Sequence, residues 1–369
     1  MKWGRKHCGG RMDYWWDLSV IHWIQGSFWT PWGFMKAPSL LDGVMWVVTQ
    51  FGTETVWILV VSALFWLGYR KESLLLGALV LLEAMINFWL KYAIFRLRPT
   101  RYEAFIFYES SDPSMPSGHA QLAATASFYT SRVICLNLES TSNVARESGR
   151  SWFSKKCFAL YSLALTLTVL VSLSRIYLGV HWPTDVIAGS AIGFTIFIVY
   201  SLTAEKLWGI VAPRLPTNTL CKCILVALLG VAIGIFTPSS WGIGWYAGGF
   251  FTGFFTGAVL ETDAVKLEKP MVLRKALGRL IIGGLVLFVL AVVADKVSSG
   301  AHALFDLAEL LLKFFVIPSS LSPWTEVITS IILEPYMNMF FSVVQFPLYI
   351  LIGLWISFIA PYMFKAFRL

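Results

Sequence analysis

Nine stretches of this chain run nearly free of charge for about the length a helix needs to cross a bilayer, and nothing else in the sequence constrains the fold as strongly. They lie near 54–69, 73–95, 118–138, 157–178, 183–203, 222–237, 241–260, 280–296 and 340–364. In hydrocarbon the backbone N–H and C=O groups must bond within the segment, so the expected fold class is all-α, a polytopic transmembrane helical bundle. Two further stretches, His302 to Ile317 and Thr325 to Pro335, are too polar or too short for plain spans. They read as interfacial or re-entrant, giving about nine spans, or eleven if both cross. The composition agrees: 14% of the 369 residues are charged and 57% hydrophobic. A mean hydropathy of +0.68 is too apolar for a chain covered by water.

The net charge of +8 comes without a basic run of nucleic-acid-binding type, so no nucleic-acid partner is expected. Topology accounts for it instead. With the N-terminus outside, 17 of the 29 Lys and Arg residues fall in inner loops. Five others, Lys2, Arg5, Lys6, Arg11 and Lys36, sit in the N-terminal segment and pull the other way. Residues 12–36 are Trp-rich and broken by Asp17, His22, Gln25 and Pro31, which reads as an interfacial stretch and not a signal peptide. The five cysteines are an odd set, and Cys221-x-Cys223 lacks a partner pair, so neither a disulfide nor a structural metal is expected. Residues 139–156 read as a linker.

Ionisable groups at the edges of spans are costly and therefore point to function. The second span carries Glu83, Asn87, Lys91 and Arg98-Pro99 at spacings of four, four and seven, which predicts one polar helical face ending at Arg98. Lys91 and Arg98 read either as snorkelling bases or as an anion cradle. The third span opens Met115-Pro116-Ser117-Gly118-His119, a helix N-terminus with Ser117 as its cap. Its free N–H groups suit a phosphate, although a capped helix beside an interfacial histidine would look the same. The fourth span ends at Ser174-Arg175 and the fifth begins His181-Trp182-Pro183-Thr184-Asp185. Asp185 is placed to hold the His181 ring, either as a helix staple or as the partner of a nucleophilic imidazole. In any alternating topology these four segment ends share one membrane face. Three cations and backbone amides then suit the equatorial oxygens of a phosphoryl group, leaving a nucleophile and a proton donor for the apical positions.

These residues resemble the type-2 phosphatidic acid phosphatase superfamily, which includes lipid phosphate phosphatases, glucose-6-phosphatase and vanadium haloperoxidases. Its motifs K-x6-R-P, P-S-G-H and S-R-x5-H-x3-D stand here as Lys91…Arg98-Pro99, Pro116-Ser117-Gly118-His119 and Ser174-Arg175…His181…Asp185. The resemblance implies a catalytic set of His181 as nucleophile, Asp185 as its orienting partner and His119 as general acid. It implies that Lys91, Arg98, Ser117, Gly118 and Arg175 bind the substrate phosphate, with no metal and no other cofactor. The expected protein is an integral membrane phosphatase acting through a phosphohistidine on an amphiphilic lipid phosphate or diphosphate, with its active site on the extracytoplasmic side of the cell membrane. Asp185 stands as in the lipid phosphatases, which favours a lipid over a sugar phosphate. A phosphotransferase with a hydroxyl acceptor is the first alternative, and a lipid or anion transporter is the alternative outside enzymes.

The expected organisation is an N-terminal interfacial segment, 1–53, a six-helix-type phosphatase core, 54–203, and an additional C-terminal transmembrane region, 204–369. Within the first, Leu41-Asp42, Thr49 and Gly52 resemble a stretch of bacterial members. Gly189 and Gly193 are expected to pack behind the catalytic face. The ridges Gly230/Gly234 and Gly249/Gly253/Gly257 are expected to pack within the chain or, alternatively, across a homodimer. Glu83 reads as a structural partner of Lys91 or Arg175, Trp182 as an entrance or belt residue, and His7, His22 and His302 as interfacial. The loop from Thr100 to Met115, with Arg101, Glu103, Glu109 and Asp112, is the expected address of substrate selection.

Overall fold

Long uncharged runs have little choice but to become helices, and they do so in the computed structural model, which describes residues 15–30, 33–108, 110, 112–141, 155–237, 243–270, 272–311 and 344–369. The helices are α1 (Trp15–Gln25), α2 (Leu40–Gln50), α3 (Glu54–Trp66), α4 (Arg70–Ile94), α5 (Gly118–Thr141), α6 (Lys155–Tyr177), α7 (Pro183–Val211), α8 (Thr219–Phe236), α9 (Ile243–Leu260), α10 (Leu273–Leu311) and α11 (Val344–Ala366). Among the described residues the fold is all-α apart from one antiparallel pair, β1 (Phe28–Thr30) and β2 (Gly33–Met35), with Phe28 opposite Met35.

Among the described residues six helices, α4, α6, α7, α8, α10 and α11, are long and apolar enough to span a membrane. A seventh span is formed if α2 and α3, bent by 51° at their junction, count as one. Of the expected spans, α5 and α9 are not in that set. In α5 the polar side chains of Gln121, Thr125, Ser127 and Ser131 lower the hydropathy and are buried, bonding inside the protein. Residues 302–311 do not form a separate interfacial segment but continue α10, while the rest of the stretch to Pro335 and most of the 139–156 linker lie outside the described residues.

The chain divides into two units, residues 1–58 with 75–210 and residues 59–74 with 211–369. In the first unit, small residues let helices approach. Ala120, Ala123, Ala124 and Ala126 of α5 are buried. A methyl group on Gly189 would stand 2.5 Å from the Ser117 carbonyl oxygen, and Gly193 lies against Gln121 in the same manner, as expected. Thr125 donates to the Gly193 carbonyl at 3.0 Å. Helix α1 seats Ile21 in a core with Ala120, Ile176, Trp182 and Val186. Against the sequence expectation, Cys135 of α5 and Cys157 of α6 form a disulfide, their Cα atoms 5.5 Å apart. Packing of two consecutive helices brings these two residues together, which a count of cysteines cannot reveal.

In the second unit the glycine ridges meet helices of the same chain. Gly230 lies against Gly248 and Thr252, and Gly253 and Gly257 lie against Ile350 and Ser357 of α11. The unit carries its own buried charges. Glu261 pairs with Arg70 and accepts the Leu267 N–H at 2.6 Å. Arg279 donates to the carbonyls of Trp66, Glu268 and Leu369 at 3.0, 2.8 and 2.9 Å.

Candidate active site

Four helix ends of the first unit build the site. Helix α4 stops at Ile94, a turn earlier than expected, because Phe95 adopts the left-handed region (φ 50°) while its N–H bonds the Lys91 carbonyl at 2.8 Å. Lys91 therefore sits in the last helical turn and Arg98 on the chain beyond it, so the two do not share one helical face. Asn87 does serve the site: it donates to Gln121 at 2.9 Å, and its Oδ1 lies 3.0 Å from where a Gly118 methyl would be. No larger residue fits at Gly118 without displacing that amide.

At the start of α5 the Ser117 N–H donates to the Asp185 carbonyl at 3.0 Å, which ties this helix start to that of α7. The Ser117 hydroxyl, expected to cap α5, caps nothing; it is buried and without a partner. His119 follows in the first turn of α5, flush against Gly52 at the α2–α3 bend, where a methyl would lie 2.7 Å from its Cβ. Arg175, near the end of α6, is buried and donates from Nη1 to Thr49 at 2.9 Å and to the Tyr108 hydroxyl, leaving its Nε without a partner. Pro183 opens α7 as expected, and Asp185, three residues after Trp182, accepts the Trp182 N–H at 2.9 Å.

His181 lies at the centre and is buried. Arg98 Nη1 stands 3.1 Å from its Nε2, and since a guanidinium only donates, Nε2 accepts and the ring proton resides on Nδ1. Nδ1 faces Asp185 Oδ2 at 3.5 Å, an ion-pair separation and too long for an effective hydrogen bond. Burial, then Arg98, Arg175, Lys91 and His119, push the His181 imidazole well below its ordinary value of 6.5. It stands as a neutral base at neutral pH.

Behind Asp185 lies a clamp that sequence reasoning missed. Arg96 donates to Asp185 Oδ1 at 2.7 Å and to Asp17 of α1 at 2.9 Å, while Asp17 accepts the Thr184 N–H at 3.1 Å. Both carboxylates are fully buried. Glu83 is buried too, but Lys91 takes Asp112 and Arg175 takes Thr49 and Tyr108, so neither expected Glu83 pair forms. The Asp112 carboxylate bridges Lys91 and Arg98, the latter at 2.8 Å from Nη2. Burial alone would raise its titration, but Lys91 and Arg98 hold it well below the usual carboxylate range.

The PAP2 superfamily profile matches residues 72–209. Over 173 residues the sequence is 30% identical to phosphatidylglycerophosphatase B of Bacillus subtilis, covering 45% of this chain and 77% of that protein. The chain belongs to the PAP2 superfamily. It is also 31% identical over 157 residues to undecaprenyl-diphosphatase of Sulfolobus acidocaldarius, covering 42% of this chain and 66% of that one. A lipid A 4'-phosphatase of Porphyromonas gingivalis is 29% identical over 191 residues, 48% of this chain and 74% of its own. Among solved structures, a PAP2-type phosphatidylglycerolphosphate phosphatase of Bacillus subtilis is 27% identical with a TM-score of 0.42, covering 54% of this chain and 89% of that one. This PAP2 protein is thus a multi-pass membrane protein whose matched relatives are lipid phosphatases.

Around the PAP2 motifs two cavities open, of about 560 Å³ and about 280 Å³. The larger is bounded by Trp16, Phe95, Met115 and Trp182, the smaller by Arg101, Tyr108 and Ser110, and Arg98 lines both. Trp182, expected at an entrance or in the belt, is buried, lines the larger cavity and donates its Nε1–H to the Leu97 carbonyl at 2.9 Å. Neither cavity is lined by Lys91, His119 or His181. His22 bonds the Glu103 carbonyl at 2.7 Å, His7 lies outside the described residues, and only the backbone is described at His302.

Proposed function

We propose that the protein hydrolyses the phosphate or diphosphate ester of a membrane lipid through a phosphohistidine on His181, without a metal and on the extracytoplasmic face. The observation that carries this reading is a buried ring of donors around one neutral imidazole. Ser117 Oγ and Arg175 Nε have no partner, and a buried unpaired donor is costly unless a ligand completes it. Three relatives named for phosphatases of three lipids support an amphiphilic substrate.

In this mechanism Lys91, Arg98 and Arg175, with Ser117 and the Gly118 amide, hold the non-bridging oxygens. His181 Nε2 forms the P–N bond as the P–O bond to the lipid breaks, and His119 delivers the proton to the leaving oxygen. The electron pair of Nε2 leaves positive charge on the ring, which the Nδ1 proton carries towards Asp185. Water, losing its proton to His119, then breaks the P–N bond and releases inorganic phosphate.

The test is phosphate release by purified protein in detergent with excess EDTA, across phosphatidate, phosphatidylglycerophosphate, polyprenyl diphosphate, sphingoid phosphate and sugar phosphate. Release from a lipid that persists in EDTA and vanishes in His181→Ala is the expected result; activity retained in that variant overturns the proposal. Ser117→Ala should leave the melting temperature unchanged, because its hydroxyl bonds no other group of the protein. Its kcat/KM should fall by about tenfold to a hundredfold, the value of one hydrogen bond to a charged group.

A further inference from the structure

The cation cradle is already filled by the protein's own anion. Asp112 reaches in from the loop between α4 and α5 and places its carboxylate on both Lys91 and Arg98, with Ser110 donating to the same group. Its backbone carbonyl takes the Arg98 Nε–H at 2.8 Å, so the loop grips the guanidinium along one edge. Held there, Arg98 turns its remaining nitrogen, Nη1, to the Val180 carbonyl at 2.7 Å and to His181 Nε2 at 3.1 Å. The lone pair that would attack phosphorus is therefore covered. Arg98 lines both of the cavities described above, and His181 is among the lining residues of neither.

We propose that Asp112 is a resident anion seated where a substrate phosphate belongs, which the phosphoryl group must displace, so that Asp112 sets the affinity of the site and its demand for a highly charged ligand. This rests on the phosphate-site reading above. A phosphoryl dianion brings more charge than a single carboxylate and can engage Lys91, Arg98 and Arg175 together, so it wins the exchange. A weakly charged headgroup does not. After hydrolysis the same carboxylate competes with inorganic phosphate and speeds its release. Asp112 acts through Lys91 and Arg98 and is a positioning residue, not a catalytic one.

The opposite role is a scaffold that merely holds Lys91 and Arg98 in place, and the two predict opposite signs. Binding of inorganic phosphate to the full-length protein in detergent, followed by tryptophan fluorescence, separates them. Asp112→Asn keeps the shape and removes the charge, and should tighten phosphate by about tenfold or more, as relief of one like charge beside a bound anion does. Asp112→Glu, which keeps the charge, should stay close to wild type. Weakened or unchanged binding in Asp112→Asn overturns the proposal. If neither wild type nor Asp112→Asn binds phosphate, the phosphate site itself is wrong; if wild type binds and Arg175→Ala does not, that reading stands whatever Asp112 does. Hydrogen exchange on the wild type needs no variant to fold. Added phosphate should speed exchange of amides near Asp112 as the loop lets go, and protection there would overturn the proposal.

Discussion

Arg98 engages all three guanidinium nitrogens at once, with Asp112, Val180 and His181 as partners, and so decides both the tautomer of His181 and the availability of the proposed nucleophile. His181 is buried as a neutral ring whose protonation is displaced to low pH by its burial and by Arg98, Arg175 and Lys91. In the unfolded chain the same ring takes its proton near the ordinary value, so below about pH 6.5 the unfolded state binds more protons than the folded one. Stability supplied by the neutral ring is full above that pH and declines below it, until the buried ring also protonates. The melting temperature should fall on acidification below pH 6.5, and His181→Ala should flatten that part of the curve; an equal decline in both proteins would refute it. The motif residues were legible because each is rare at a span edge and their spacings are fixed. Asp112 was legible only as a member of a loop, since no helical period links it to Lys91 or Arg98.

Helix ends, more than helix bodies, determine the site. The early stop of α4 at Phe95 frees Arg96 and Arg98 to point different ways, one to the clamp behind Asp185 and one to His181. Pro99 announces a break in the sequence, but the left-handed residue four positions earlier has no signature, because phenylalanine is an unusual choice there. Helix α1 carries the other half of the clamp, and its separation from Asp185 by most of the unit hid the connection. Asp17→Asn removes the charge that Arg96 shares with Asp185 and loosens the start of α7. It should lower kcat by about tenfold with little change in KM, and lower the melting temperature, because breaking a buried ion pair costs about 3–5 kcal/mol. A matching rise in KM with kcat unchanged would assign Asp17 to substrate binding instead.

At the scale of the molecule, the family match over residues 72–209 falls mostly within the first unit, and the second holds together by its own glycine contacts and buried Arg70–Glu261 pair. The helical class and the positions of the apolar runs were plain from hydropathy; that residues 59–74 group with the second unit was not, because it follows which helices touch and not where charge is absent. Gly253→Leu would drive a side chain into the backbone of α11 at Ile350. It should lower the thermal stability of the second unit by overpacking, about 1–3 kcal/mol or more. An unaltered unfolding transition would show that α9 and α11 can part without cost.

The charged groups of the proposed centre sit at helix ends or in the loops that join them, while the helix sides present leucine, isoleucine and valine such as Leu163, Val169, Ile187 and Leu202 to their surroundings. A ligand anchored by its tails approaches such a centre by sliding within a sheet of lipid, so the encounter is a search in two dimensions. With the lipid phosphate or diphosphate proposed above, turnover follows the mole fraction of that lipid among its neighbours, and diluting it with inert lipid slows the protein even when the amount per litre is held constant.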